Sequence, residues 1–315
     1  MEICQLYETH LKHLLERGEF VITAEVGAPH GTDSTLLVER IEMVREFCDA
    51  INIPDNARSV PTMSSAICAQ FVIQHGAEPI LHMTTRDRNQ LAIQSELYGA
   101  YAIGVRNVLF VAGDHTRFGS HPHAKIVYDL DTLNVISLTK RLSTGVDFAG
   151  EELEGTPEFY IGATINPNDG SINEIVSRTQ SKRDAGAQFF QTQAIFEPAR
   201  LEDFMNQIDS DLKILAGIIP LRDSEMAEFM NEFIPGISVP DEFIKRLNDA
   251  GNGLEDEART EAMKAEGIQI ALETIEIVRE IDGINGLHLM GVGWTESICE
   301  LVQKAGLYPR PKVRR

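Results

Sequence analysis

Eight short apolar runs punctuate the chain, at residues 20–26, 50–55, 79–85, 107–114, 159–166, 188–195, 212–220 and 286–293, each ending at a polar residue, a proline or a glycine. Apolar runs of this length bounded by turn residues predict buried strands, and the stretches between them repeat apolar positions at helical spacing. Strand–helix alternation over a chain of this size predicts an α/β fold, a closed parallel (β/α)8 TIM barrel. Chemistry in such barrels collects where the strands end. Glu25, Asp55, His82, Thr84, Asp114, Asn166 and Gln193 therefore become candidate neighbours, although they are scattered along the sequence.

Residues 6–17 set Leu11, Leu14 and Leu15 on one helical face, which predicts a leader helix within 1–18. The next helix starts at Asp33 or Ser34, either of which suits an N-cap, and repeats Leu37, Ile41 and Val44. Further helices are expected over 64–75, 88–104, 131–142, 171–185, 198–206, 224–231 and 295–306. Ser171 and Glu174 form a capping box, in which each side chain serves an orphan amide near the other. Two stretches break the alternation. Residues 143–158 are polar and glycine-rich and read as an exposed loop. Residues 235–281 form a helical excursion before the last strand: a helix after Pro240, an acidic loop at 248–257, and a long helix with Ile268, Ala271, Ile275 and Val278 on one face. With no internal repeat or low-complexity linker, residues 1–315 read as a single barrel catalytic domain.

Composition narrows the function classes. The chain has 315 residues, 43% hydrophobic, enough for a large core. Its 28 Lys and Arg against 48 Asp and Glu give a net charge of −20, which argues against nucleic acid and anionic membranes as partners. No apolar run approaches the ~20 residues of a membrane helix. The N-terminus is charged and helical in pattern, unlike a signal peptide. Cys4, Cys48, Cys68 and Cys299 are scattered and suggest neither a zinc site nor a disulfide framework, so a cytoplasmic location is expected.

Several residues carry possible chemistry. Glu25 interrupts an apolar strand; desolvation there raises a carboxyl pKa and suits a general acid, while a salt-bridged strand end is an equal alternative. Gly113-Asp114 ends another strand, where a glycine lets a flat ligand approach the backbone, although Gly-Asp alone is ordinary turn chemistry. His82 reads as a ligand contact or, more commonly, a satisfied core histidine, and Arg86, Asp87 and Arg88 as an ion-pair cluster at a helix start. His115, His121 and His123 lie in a loop without a metal-binding pattern, so no metal is expected. Gln191 and Gln193 alternate and share a strand face, suggesting an amide-reading site or a buried network. Neither Gly-x-Gly-x-x-Gly nor a phosphate loop occurs.

Taken in order, these pieces resemble the methylenetetrahydrofolate reductases, flavin-dependent barrels of one-carbon metabolism. The likeness runs from about Glu19 to Leu307. It rests on Ala24-Glu25-Val26, His82-x-Thr84, Gly113-Asp114, Tyr128-Asp129-Leu130-Asp131, Lys182 before Asp184-Ala185-Gly186-Ala187, Thr192-Gln193 with Phe196, and Gly217-Ile218-Ile219-Pro220. The resemblance implies hydride transfer from a reduced flavin to 5,10-methylenetetrahydrofolate, giving 5-methyltetrahydrofolate. Glu25 matches the family's acid, and Asp114 the carboxylate beside flavin and pterin. Gln193 matches the folate-reading amide, and Phe196 is a stacking or core residue near the substrate. His82, Thr84, Tyr128, Asp129, Asp131 and Lys182 match a cofactor shell that Asp55, Ala112, Gly113 and Asn166 complete.

Three positions depart from the best-known members: Ala112 replaces an arginine, Asn166 an aromatic residue, and the last strand runs into Gly291-Val292-Gly293-Trp294 instead of Asn-Arg. These departures leave open FAD or FMN as cofactor, and NADH, NADPH or an electron-transferring partner subunit as electron source, with homo- or hetero-oligomers expected. A flavin-free pterin-binding one-carbon transferase and a non-catalytic binding subunit are the competing readings.

Overall fold

The structure, a computed structural model, describes residues 9–311 except 210 and 235. The predicted runs are strands β1 (Val21–Glu25), β2 (Ala50–Ile53), β3 (Pro79–Thr84), β4 (Asn107–Val111), β5 (Tyr160–Ile165), β6 (Phe189–Ala194), β7 (Ile214–Ile218) and β8 (Ile284–Met290). They close in sequential order into one parallel barrel, with β8 pairing back onto β1. Helix α1 (His10–Glu16) precedes the barrel. Helices α2 (Thr35–Val44), α3 (Ser65–Gln74), α4 (Gln90–Ala102), α5 (Thr132–Leu142), α6 (Ile172–Ala185), α7 (Pro198–Met205) and α8 (Ser224–Phe233) follow β1 to β7 in turn. The excursion supplies α9 (Asp241–Ala250) and α10 (Asp256–Arg279), and α11 (Glu296–Lys304) follows β8.

Local chemistry accounts for the helix starts. The Ser171–Glu174 capping box is formed at α6. At α2 it is Asp33, not Ser34, whose carboxylate accepts from the Thr35 amide at 2.9 Å. Asn89, Asp131 and Asp223 cap α4, α5 and α8 through their side chains. The acidic stretch at 248–257 is shorter as a loop than its composition suggests, because α9 runs to Ala250 and α10 begins at Asp256.

Alternation along each strand sorts the core into layers. Outward residues such as Ile22, Ile51, Leu81 and Phe110 pack beneath the helices. Val21, Ala50, Ile80, Leu109, Tyr160, Phe189 and Leu215 point into the start of the barrel, where Leu11, Leu14 and Leu15 of α1 meet them. The leader helix is thus a plug; residues 1–8 of the predicted leader lie outside the described residues. Glu78, at the head of β3, pins it by accepting from the His10 and Leu11 amides at 2.6 and 3.0 Å, the first-turn donors that have no partner within the helix. Over the opposite end, Phe196, Ile219, Leu221 and Met290 join Met230, Leu247, Met263 and Ile270 in a second apolar cluster. The helical excursion therefore builds its own small core on the β6–β8 side of the mouth. The loop at 143–158 is largely exposed as expected, but Phe148 and Pro157 are buried, Leu153 packs against the core, and the Phe148 amide donates to Gln94.

Replacing Leu15, fully buried in the plug, by Ala should lower unfolding free energy by about 2–5 kcal/mol. An unchanged urea midpoint would show that α1 is not part of the cooperative fold.

Candidate active site

The inner face above the plug is polar. Thr23 of β1, Asn52 of β2, His82 of β3, Gln191 of β6 and His288 of β8 are all buried. Because β2 and β6 are not neighbours, a contact between them has to cross the barrel interior. Asn52 Nδ2 donates to Gln191 Oε1 at 2.7 Å and lies 2.7 Å from His82 Nε2. Gln191 Nε2 donates back to Asn52 Oδ1 at 3.1 Å and on to Thr23 Oγ1 at 3.0 Å. Thr23 Oγ1 is 3.0 Å from His288 Nδ1. Burial pushes the His82 pKa down to about 4 and that of His288 to about 3, so both imidazoles are neutral at pH 7.

Glu25 sits at the end of β1, next to this chain. Its side chain is 28% exposed, and its Oε2 lies 4.0 Å from His288 Nε2. Desolvation pushes its pKa up from 4.5 to about 7. Among the described residues no lysine or arginine pairs with it, so the salt-bridge alternative is not what the fold builds.

Asp55, Thr84 and Arg88 form a second assembly. The buried Asp55 carboxylate accepts from the Thr84 amide at 2.8 Å, the Thr84 hydroxyl at 3.0 Å and Arg88 Nη1 at 2.6 Å. Arg88 also pairs with Glu96. Arg86 is buried as well; it pairs with Asp87 and donates to Ser59 Oγ at 2.8 Å and the Asp114 carbonyl at 2.9 Å. The expected ion-pair cluster is present, and it also ties the loop after β2 to that after β4. Asn56, Arg58 and Ser59 all have positive φ there, an uncommon backbone for residues other than glycine.

Asp114 itself is exposed, and its Oδ2 accepts from the Arg58 amide at 3.0 Å. Gly113 beside it has φ +83°, and a Cβ there would crowd Thr84 and Arg86 at 3.1–3.3 Å. Its carbonyl accepts from the exposed Tyr128 hydroxyl at 3.0 Å. Asp129 accepts from the Gln90 amide at the start of α4, and Asp131 is the α5 cap, so both carboxylates hold helix starts at this rim. Lys182 is half-buried and donates to the Thr164 carbonyl at 2.6 Å, and burial lowers its pKa. Asn166 joins the loop after β5 to the Gly236 carbonyl at 3.3 Å, and Ala112 is exposed at the end of β4.

Gln193 lies where the β6–β7 register shifts, an irregularity that re-aims side chains. Gly217 permits it: a Cβ there would fall 2.5 Å from the Thr192 carbonyl oxygen. Gln193 Oε1 accepts from the Ala194 amide at 3.1 Å. Phe196, 4% exposed, belongs to the second apolar cluster instead of standing open at the mouth. Gln191 and Gln193 do share a face, and Gln191 serves the buried network. Thr23, Asn52 and His288 escaped notice in the sequence. Their signal was a polar residue at an inward position of an apolar strand, two residues from another such residue in the case of Thr23 and Glu25.

The ends of β1, β4 and β6 thus space Glu25, Asp114 and Gln193 around one mouth, with Lys182 and Tyr128 on the β4–β5 side. A cavity of about 200 Å³ opens between the loops after β2, β3 and β4, lined by Asn56, Ser59, Arg86, Asp87, Thr116 and His121 among others. A closed barrel with polar groups gathered at its strand ends is the architecture of a barrel enzyme domain. The chain belongs to the methylenetetrahydrofolate reductase family, whose sequence profile matches residues 10–306.

Methylenetetrahydrofolate reductase 2 of Schizosaccharomyces pombe is 23% identical over 253 residues, covering 77% of this chain and 38% of the relative. A probable methylenetetrahydrofolate reductase (NADPH) of Caenorhabditis elegans is 22% identical over 316 residues, covering 96% and 45%. The chain spans less than half the length of these curated relatives. Among solved structures, an uncharacterized protein from Clostridium thermocellum that binds two copies of 5-methyl-5,6,7,8-tetrahydrofolic acid aligns with a TM-score of 0.64 at 16% identity, over 95% of this chain and 99% of that one. At that identity the likeness is one of fold.

The raised Glu25 pKa has a consequence for stability. Between 4.5 and about 7 the folded protein keeps a proton that the unfolded chain has released, so this group's contribution falls as pH rises through that window. Glu25→Gln lacks the penalty. Its urea midpoint relative to the parent should rise from pH 5 to pH 8, whereas a constant offset would contradict the shift.

Proposed function

We propose that this chain is a catalytic domain that reduces 5,10-methylenetetrahydrofolate to 5-methyltetrahydrofolate with a flavin, FAD or FMN, as immediate hydride source. The observation that carries the reading is a carboxyl, Glu25, with a pKa near 7 and no cationic partner among the described residues, placed on one mouth with Asp114 and Gln193 in a chain of this family. The rim residues suit a flavin. Gly113 leaves the end of β4 without a side chain, and Lys182 offers a cation at the end of β5 for a phosphate or ribose. Tyr128, Asp129 and Asp131 border the same rim and are exposed. Asp55, His82 and Thr84 are engaged by protein partners and support this shell from beneath. When bound, the reduced flavin would supply the hydride.

The chain's own residues do the rest. Opening the substrate's five-membered ring needs a proton on the departing nitrogen. Glu25 carries that proton near neutral pH and delivers it from the end of β1. The iminium carbon left behind is cationic, and the Asp114 carboxylate, oriented by the Arg58 amide, stabilises it. Gln193 reads the pterin edge, since an amide both donates and accepts. Electrons enter from NADH, NADPH or an electron-transferring partner subunit.

Anaerobically reduced, flavin-loaded protein mixed with methylenetetrahydrofolate should reoxidise in stopped flow. Glu25→Gln should slow that step about 10²–10⁴-fold while flavin reduction by the electron donor is spared. Equal reoxidation rates would remove Glu25 from the acid role. In a separate measurement, Lys182→Ala should retain less flavin through gel filtration than the parent. Parent protein that stays colourless after flavin addition would defeat the reading.

A further inference from the structure

We propose that His288 is a positioning residue for Glu25: a directed hydrogen-bond chain holds its ring as the Nε2–H tautomer, and that N–H donates to the Glu25 carboxylate once its proton has left. The inference rests on the acid role given to Glu25 above, but its geometry stands independently. β1 and β8 are paired neighbours, with Thr23 opposite His288 and Glu25 opposite Met290. His288 Nε2 faces Glu25 Oε2 at 4.0 Å, a gap that a small rotation of the glutamate side chain closes to a hydrogen bond.

The direction of the chain follows from counting protons. Asn52 Nδ2 has two, and its two acceptors are His82 Nε2 and Gln191 Oε1, each at 2.7 Å. Gln191 Nε2 spends its two on Asn52 Oδ1 at 3.1 Å and Thr23 Oγ1 at 3.0 Å. Thr23 therefore accepts from Gln191 and keeps one proton to donate. His288 Nδ1 at 3.0 Å is a closer acceptor for it than the Leu287 carbonyl at 3.4 Å. A neutral ring that accepts at Nδ1 carries its proton at Nε2, on the Glu25 side. The opposite tautomer would require Thr23 to turn its proton to the longer contact with the Leu287 carbonyl at 3.4 Å and accept from His288, or a concerted turn of both amides.

The other titratable groups around the site agree. His82 from β3 is neutral in its buried position, and Asp55 at the end of β2 is tied to Arg88. Neither supplies Glu25 with a cation, and among the described residues the neutral His288 N–H is the side-chain donor placed toward it. A donor to the carboxylate favours the ionised form and opposes the desolvation that favours the acid. The proton passes from Glu25 to the substrate nitrogen; none moves to His288, which only accommodates the anion.

Nitrogen-15 NMR of histidine-labelled parent protein, free of substrate and flavin, tests the tautomer directly, with His288 assigned by the signal lost in His288→Gln. The Nε2–H pattern is expected, and an Nδ1–H pattern overturns the proposal. Carbon-13 titration of the Glu25 carboxyl, assigned with Glu25→Gln, tests the coupling. His288→Leu should raise its pKa by about one unit or more, and His288→Gln, which restores an N–H near the same place, should keep it within about half a unit of the parent. No shift in His288→Leu overturns the coupling. If the leucine variant does not fold, the parent's tautomer decides. Neither measurement needs turnover, so inactivity toward folate would defeat the reductase reading and leave this result standing.

Discussion

Polar side chains inside a closed barrel have little solvent to turn to, so they are stabilised by bonding to one another, between neighbouring strands and across the axis. Here the matching is met by Thr23, Asn52, His82, Gln191 and His288, drawn from five strands. The plug formed by Leu11, Leu14 and Leu15 closes the barrel end beneath them. In that environment both imidazoles stay neutral and both amides are held by reciprocal bonds. The properties of Glu25 follow from its place beside this layer: it shares the desolvation but, among the described residues, lacks a cationic partner.

A different set of contacts organises the β2–β4 side of the mouth. Arg88 holds Asp55, and Asp55 holds both the amide and the hydroxyl of Thr84. Arg86 bridges Ser59 and the Asp114 carbonyl. These guanidiniums are largely buried and paired, so removing one partner would strand a charge, a change that destabilises far more than loss of a surface pair. Asp114 is thus presented by backbone that its neighbours hold, while its carboxylate stays at the surface. Desolvation governs the acid on β1, whereas the carboxylate after β4 is exposed and accepts from the Arg58 amide.

Much of the fold was legible along the chain because strand and helix periods are local. All eight apolar runs became strands, and the Ser171–Glu174 box formed where its spacing placed it. The shared face of Gln191 and Gln193 followed from the twofold period of a strand. The candidate site was legible as a set of strand ends but not as a set of roles. Asp55 looks like any strand-end carboxylate until Arg88 is found on it. Phe196 reads equally as a stacking residue or a core residue until α8, α9 and α10 bury it. Phe148 is buried in a polar, glycine-rich loop whose composition conceals it as an inward anchor.

Periodicity, capping and composition belong to stretches of a few residues, and they were enough to specify strands, helices and the face on which chemistry gathers. Partnership is different in kind. Asn52 and Gln191 lie 139 positions apart, and Thr23 and His288 lie 265 apart. Nothing local distinguishes those pairings from others, because they depend on which strands face each other and at what register once the sheet closes. Closure also decided that Glu25 would be desolvated beside a neutral histidine instead of paired with a cation, since burial is set by everything around the mouth and not by the strand that carries the residue.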